Sequence, residues 1–296
     1  MLRPATDFRH GVLPKALAVQ LHALGLPRKA AVLVHAALRA VGPIVGGAEG
    51  LLCALQDVVG ESGTIMVPAF YWGATDPACW NQPPPPEELA AACAQLVPFA
   101  PDSPIATDLG VFPRVVHRAP DAQRSKHPAM SFVALGARAA EIAAAQGEDA
   151  SRPLGCLERL AALAGWVLLR GVDFRVATSI HHAEERAGVP YVRRDPPKRY
   201  LIAPEKWIES ARDYDCSQGF NVVVPVLQER EQLRQGQVGA ARAHLVRHND
   251  LVAAALSLLA RDRAGLLCNR SGCVACARAR RLLEAEGRGD ARRKEA

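Results

Sequence analysis

Residues 175–186 read RVATSIHHAEER and place two histidines and two glutamates in five consecutive positions, shortly after the apolar run WVLLRGV. In helical spacing His181 and Glu184 stand three apart and share a face, as do His182 and Glu185, while Ile180, Ala183 and Ala187 form an inward stripe. This arrangement predicts one exposed pair and one partly sheltered pair. Thr178 suits the N-cap and Gly188 suits the closing position. A histidine in the first helical turn feels the positive end of the helix dipole, which keeps its ring neutral and able to accept a proton. Three chemistries compete for these letters: a metal-ligand cluster, an acid/base site, and a solvated face with ion pairs. The H-E-x-x-H arrangement of metalloproteases is absent. HAE at 182–184 with CVAC at 273–276 follows the zinc-deaminase pattern only in part, because Gly272 stands where that pattern has proline.

Other residues with chemical potential are scattered. His35 ends the apolar run AAVLVHAAL, and His127 precedes Pro128, which holds its backbone extended. Gly46 and Gly47, in GPIVGGAEG, stand at a helix entrance where free N–H groups can receive an anionic ligand; a tight turn needs the same glycines. Arg39 and Arg124 are basic candidates for the same ligand. In ARDYDCSQGF, Asp213 and Asp215 fall on one side of an extended segment and Tyr214 on the other, although solvated loop carboxylates are the commoner outcome. The eight cysteines are too dispersed for a small disulfide framework. Cys268, Cys273 and Cys276 form CNRSGCVAC, whose three thiols lack a fourth zinc ligand in sequence and are expected to be free.

These residues need a scaffold. The chain has 296 residues, 49% hydrophobic and 22% charged, which suits one large globular domain and excludes disorder throughout. No run reaches the roughly 18 apolar residues of a membrane helix, and the first residues carry no apolar secretory segment, so a cytoplasmic location is expected with no membrane partner. The net charge is +6, but the last twenty residues hold seven basic and four acidic side chains and so carry half of it. With four Tyr, four Trp and seven Phe there is no series of stacking aromatics among the basic residues, and no nucleic-acid partner is expected.

AAVLVHAAL, GAEGLLCALQDVVG and GTIMVPAF read as strand, helix and strand, the signature of an α/β core. ARAAEIAAAQG and CLERLAALAG read as helices, WVLLRGV as a strand, GFNVVVPVL as a late edge strand, and HNDLVAAALSLLARD as the terminal helix. The proline-rich connection before EELAAACAQL is long enough to line a site. The expected fold is a single α/β domain with a central mixed β-sheet flanked by helices. Its divisions are an N-terminal arm at 1–13, the domain at 14–262, and a C-terminal extension at 263–296 with the cysteine cluster and basic tail.

The segments LVHAALRAVGPIVGGAEGLLCALQDVVGESGTIMVPAF, SPIATDLGVFPRVVHRAPDAQRSKHPAMSFVALG, LLRGVDFRVATSIHHAEE and GQVGAARAHLVRHNDLVAAAL occur in one order. Together they resemble the aminoglycoside 3-N-acetyltransferase family over about residues 14–262. RSKHPAMS and TSIHHAEE are the most specific pieces. The resemblance implies an α/β fold distinct from the common small-acetyltransferase fold. It also implies transfer of an acetyl group from acetyl-CoA to the 3-amino group of a deoxystreptamine ring, an antibiotic-resistance activity. The family's T-x-x-H-x-x-E falls on Thr178, His181 and Glu184; its R-S-x-H-P falls on Arg124, Ser125, His127 and Pro128; its first histidine falls on His35. By resemblance His181 is the catalytic base, Glu184 orients it or holds the cationic substrate, and His35 and His127 are active-site wall. Ala36, Ala37 and Leu38, with Gly46, Gly47, Arg124 and Ser125, then stand at cofactor-binding positions. The family's HSSL is here His35, Ala36, Ala37 and Leu38. Two hydroxyls are therefore missing, each worth about 0.5–1.5 kcal/mol if it bonds the cofactor in relatives.

A polycationic acceptor calls for an acidic pocket even in a basic chain, with Glu184, Glu185, Asp213 and Asp215 as candidates. No metal is required by this chemistry. Two other readings stand beside it: acyl transfer to a different amine, and a silent protein that sequesters drug or CoA. The oligomeric state is left open.

Overall fold

The computed structural model describes residues 11–38, 43–80, 82–147 and 150–294. Arg39 lies outside them. Helix α1 (Pro14–Ala23) precedes β1 (Ala31–Ala36), α2 (Gly47–Val59) and β2 (Thr64–Pro68). The proline-rich connection leads through α3 (Leu89–Ala94) and α4 (Phe112–Arg118) to β3 (Gln123–Arg124) and β4 (Phe132–Gly136). Then come α5 (Ala139–Ala144), α6 (Gly155–Ala162), β5 (Trp166–Arg170) and α7 (Ser179–Arg186). The chain continues through β6 (Arg193–Ala203), β7 (Lys206–Arg212), α8 (Val223–Glu229), β8 (Arg234–Val238), β9 (Ala241–Arg247), α9 (His248–Arg261) and α10 (Val274–Lys294).

The sheet has seven strands in the order β3-β4-β2-β1-β5-β9-β8, with β6 and β7 forming a separate hairpin. Strands β2, β1 and β5 run parallel; β4 and β9 flank them antiparallel, so the expected mixed sheet is observed. Alternation along the central strands divides their side chains between two cores. Val32, Val34, Ile65, Val67 and Leu168 face Leu17, Leu21, Leu51, Leu55 and Phe112 of α1, α2 and α4. Leu33 and Met66 face Ile142 and Leu157 of α5 and α6, and Val167 and Leu169 face Ile180, Leu251 and Ala255 of α7 and α9. Burial on both faces explains why these strands read as unbroken apolar runs.

One expectation is corrected. GFNVVVPVL is no strand: Phe220–Val222 is a 3-10 turn that leads into α8. Its fully buried residues are Phe220, Val223 and Leu227, a helical spacing, and Pro225 sits in the first turn, where no intrahelical N–H bond is lost. The start of the C-terminal extension packs on the domain. Cys276 and Ala279 of α10 are buried in the core under α7 and α9, with Leu282 and Leu283 packed against it. No helix among the described residues is long and apolar enough to cross a membrane.

Candidate active site

The C-terminal ends of the parallel strands converge on one cavity. His35 from β1, Pro68 from β2 and Gly171 just beyond β5 line it, in the crevice where open α/β sheets bind ligands. Its volume of about 1460 Å³ exceeds the roughly 300–1,000 Å³ usual for one small ligand. Trp72 and Trp80 of the long connection, Lys198 and Tyr200 of the hairpin, and Arg242 and His244 of β9 complete much of the wall.

Helix α7 delivers His181 to that wall. Thr178 occupies its N-cap without a side-chain cap bond, and Gly188, at φ +63°, follows its end in the left-handed conformation that a Cβ would strain. His181 Nδ1 lies 2.6 Å from Glu184 Oε2, both groups buried. A carboxylate can only accept, so Nδ1 carries the hydrogen and Nε2 remains the basic nitrogen. Tyr214 and Phe220 hold the ring, at centroid distances of 5.0 and 4.8 Å. The ring lines the cavity; Glu184 stands behind it, outside the lining.

His182 is buried as well, contrary to the expected exposed pair. Its Nδ1 is 3.1 Å from Nε2 of His248, whose Nδ1 meets Ser179 Oγ at 3.0 Å. This chain of bonds fastens α7 to α9. Glu185 is not among the residues lining the cavity: it accepts from the Tyr214 hydroxyl at 2.8 Å and pairs with Arg212 at 3.3 Å. Neither glutamate is therefore positioned as a cavity carboxylate for a cationic substrate.

Asp213 and Asp215 do line the cavity, but as members of ion pairs rather than solvated loop residues. Asp213 receives Lys198 Nζ at 2.6 Å and Arg194 Nη1 at 2.9 Å. Burial would raise its carboxyl, yet these cations hold it below the ordinary range. Asp215 pairs with Arg278 at 3.1 Å and is pushed up by burial and by the charge of Asp213. Asp108, also on the wall, is exposed.

His35 continues the Leu33 side of β1 and is buried, with no hydrogen-bond partner for Nε2 among the described residues. Desolvation lowers it to about 4, so its ring is neutral. His127 stands behind the wall rather than in it: Nδ1 accepts from the N–H groups of Ala129 and Met130 at 3.1 and 3.0 Å, and the ring meets Tyr200 edge-on.

The expected cofactor residues are not gathered at this cavity. Arg124 is buried and donates to the carbonyls of Ala69 and Ser103 and to Ser131 Oγ, which uses its guanidinium as a brace. Ser125 Oγ bonds Gln146 and the Phe132 N–H. Ala36 and Leu38 pack on the core, and the Ala37 N–H donates to the Arg170 carbonyl. Gly46 and Gly47 make a left-handed turn into α2, at φ +77° and +58°, away from the cavity lining. The cations that do line it are Lys198, Arg212, Arg175 and Arg242. Arg242 and His244 share a strand face by simple alternation, a signal that becomes readable once β9 is recognised.

Residues 33–260 match the model of the family described as aminoglycoside 3-N-acetyltransferase. Aminoglycoside N(3)-acetyltransferase VII of Streptomyces paromomycinus is 34% identical over 262 residues, covering 80% of this chain and 87% of that one. The structure of AAC(3)-IVa in complex with apramycin superposes with a TM-score of 0.73 at 30% identity, over 90% of this chain and 99% of the other. AAC-IIIb in binary complex with CoASH superposes with a TM-score of 0.71 at 29% identity, over 84% and 97% of the two chains. With a His–Glu pair at the wall of a large cavity at the sheet's carboxyl edge and this likeness over most of its length, the chain belongs to the aminoglycoside 3-N-acetyltransferase family.

Proposed function

We propose that the protein transfers the acetyl group of acetyl-CoA to the 3-amino group of the deoxystreptamine ring of an aminoglycoside, with His181 as general base. The observation that carries the reading is the 2.6 Å bond from His181 to Glu184 at the wall of a cavity large enough for two substrates.

An amine near neutral pH is mostly ammonium and has no lone pair for a thioester. The ammonium first releases one proton to water; as the resulting amine nitrogen bonds to the acetyl carbonyl carbon, His181 Nε2, directly or through one water, takes a second proton, the one that later goes to the CoA sulfur. The C–S bond then breaks, CoA leaves as a thiolate and receives a proton, and the amide remains. Glu184 stabilises the imidazolium that forms between these events. Acid/base assistance of this kind is worth about 10²–10⁴-fold. The transfer uses no metal and no covalent enzyme intermediate.

Arg175 and Arg242 offer positive charge to the CoA phosphates. Trp72 and Trp80, 49% and 43% exposed, offer apolar faces to the sugar rings, and Asp108, Asp213 and Asp215 offer carboxylates to the ammonium groups. The test is CoA thiol release with a panel of aminoglycosides and simple amines, comparing the native protein with His181→Ala. Turnover with deoxystreptamine aminoglycosides, reduced at least tenfold in the variant, supports the reading. Turnover only with other amines would move the acceptor, and binding of acetyl-CoA without turnover would make the protein a sequestering one.

A further inference from the structure

Behind the cavity the fold brings four cysteines together that the sequence scatters over 61 positions. Cys216 lies in the loop after β7, Cys268 follows α9, and Cys273 and Cys276 stand at the start of α10. Their sulfurs all lie within 4.8 Å of one another, the only such group of metal-ligand atoms found among the described residues. Cys216 supplies the fourth ligand that CNRSGCVAC lacks by itself. We infer that these four thiols form a structural zinc site that clamps the C-terminal helix to the loop forming one wall of the cavity.

The geometry distinguishes a metal site from a pair of disulfides. Sulfurs placed about 2.3 Å from a tetrahedral zinc stand about 3.8 Å from one another, whereas a disulfide needs about 2.05 Å. The Cys216–Cys268 and Cys216–Cys273 sulfur separations are both 3.8 Å. The local backbone suits a zinc knuckle: Gly272, at φ +79°, turns the chain immediately before the C-x-x-C segment. Four thiolates around a divalent ion leave a net charge of −2, and cations surround the group. Arg280 donates to the Cys268 carbonyl at 3.0 Å, Arg270 to Gln218 at 3.3 Å, and Arg278 to Asp215 at 3.1 Å.

Four protein ligands make a closed site, with no position for substrate or water, so the ion's work is mechanical. Cys216 is two residues from Tyr214, whose ring packs on His181, and one from Asp215 of the cavity wall. The tie thus holds the segment 213–216 against the protein body at the catalytic histidine.

The test is metal analysis of the full chain purified without chelator, with thiols titrated by a mercurial. About one zinc per chain, released as four thiols react, supports the site. Cys216→Ser and Cys273→Ser should each lose most of the zinc and melt several degrees lower, while Cys53→Ser, at an exposed position on α2, keeps both. Should the serine variants fail to fold, exchange of the native chain into cobalt decides: intense thiolate-to-cobalt absorption with tetrahedral d–d bands supports the site. Four freely reactive thiols without metal, disulfides among them, or iron in place of zinc would each overturn it.

Discussion

Glu184 Oε2 accepts from His181 Nδ1 across 2.6 Å, one helical turn apart, with the carboxylate buried and the ring between it and the cavity. The pair is thereby directional: the carboxylate sets the tautomer and leaves the opposite ring nitrogen as the one proposed to meet the substrate. Removing the ring by His181→Ala should lower kcat by about 10²–10⁴-fold, with the KM for acetyl-CoA nearly unchanged. Glu184→Gln keeps the shape but presents an amide that stabilises imidazolium less. It should cost less than His181→Ala, about tenfold to hundredfold in kcat. Equal activity in Glu184→Gln and the native enzyme would remove Glu184 from the mechanism.

His35 lines the same cavity, and its buried Nε2 has no partner among the described residues; desolvation lowers the ring to about 4. A bound substrate that satisfies this nitrogen supplies a hydrogen bond that no described protein group provides. His35→Phe should therefore reduce kcat/KM about tenfold while leaving the profile between pH 6 and 8 unchanged in shape, since the native ring stays neutral throughout. A shifted profile in that range would mean that His35 titrates there.

The path from letters to site is uneven. The buried strands are legible because burial on both faces forces continuous apolar runs, and the TSIHHAEE helix because its caps and apolar stripe agree. The hairpin of β6 and β7 is not, since Arg193–Ala203 carries charges and prolines instead of apolar alternation. The run at 219–227 misleads because an apolar stretch this short has no unique period, and only tertiary packing chooses the helical one. Within the site, His181 and Glu184 are placed together by i, i+3 spacing alone. Arg124 misleads because sequence shows a cation's charge but not the four oxygens waiting for it. Cys216 escapes notice as a companion of Cys268 because their approach depends on the fold of more than fifty intervening residues.

Arg242 reaches the cavity from β9 and carries the charge proposed to meet a CoA phosphate. Hydrogen bonds to charged groups are worth about 1.5–3 kcal/mol, and an exposed position takes the lower end of that range. Arg242→Ala should raise the KM for acetyl-CoA about tenfold, flatten its dependence on salt, and leave kcat within about twofold. An unchanged KM would place the phosphates elsewhere.

The buried pair His182 and His248 makes stability depend on pH. Burial lowers His248 from the ordinary 6.5 to about 3, with His182 and Arg186 adding smaller contributions of the same sign. His182 is lowered by burial and Arg186, against a smaller opposing effect of Glu158. Between about pH 6.5 and the depressed folded values the unfolded chain binds protons that the folded chain refuses, so stability falls as pH falls. The contribution is fully present above 6.5 and is lost on acidification through the folded range; His35 adds to it with the same sign. The melting temperature should be level from about pH 8 to 7 and decline progressively from 6.5 to 4. His248→Gln, which can still bond Ser179 and His182, should start a few degrees lower at pH 7.5 but lose less on acidification. Parallel curves for variant and native protein would assign the acid sensitivity to other groups, with His35 the next to examine.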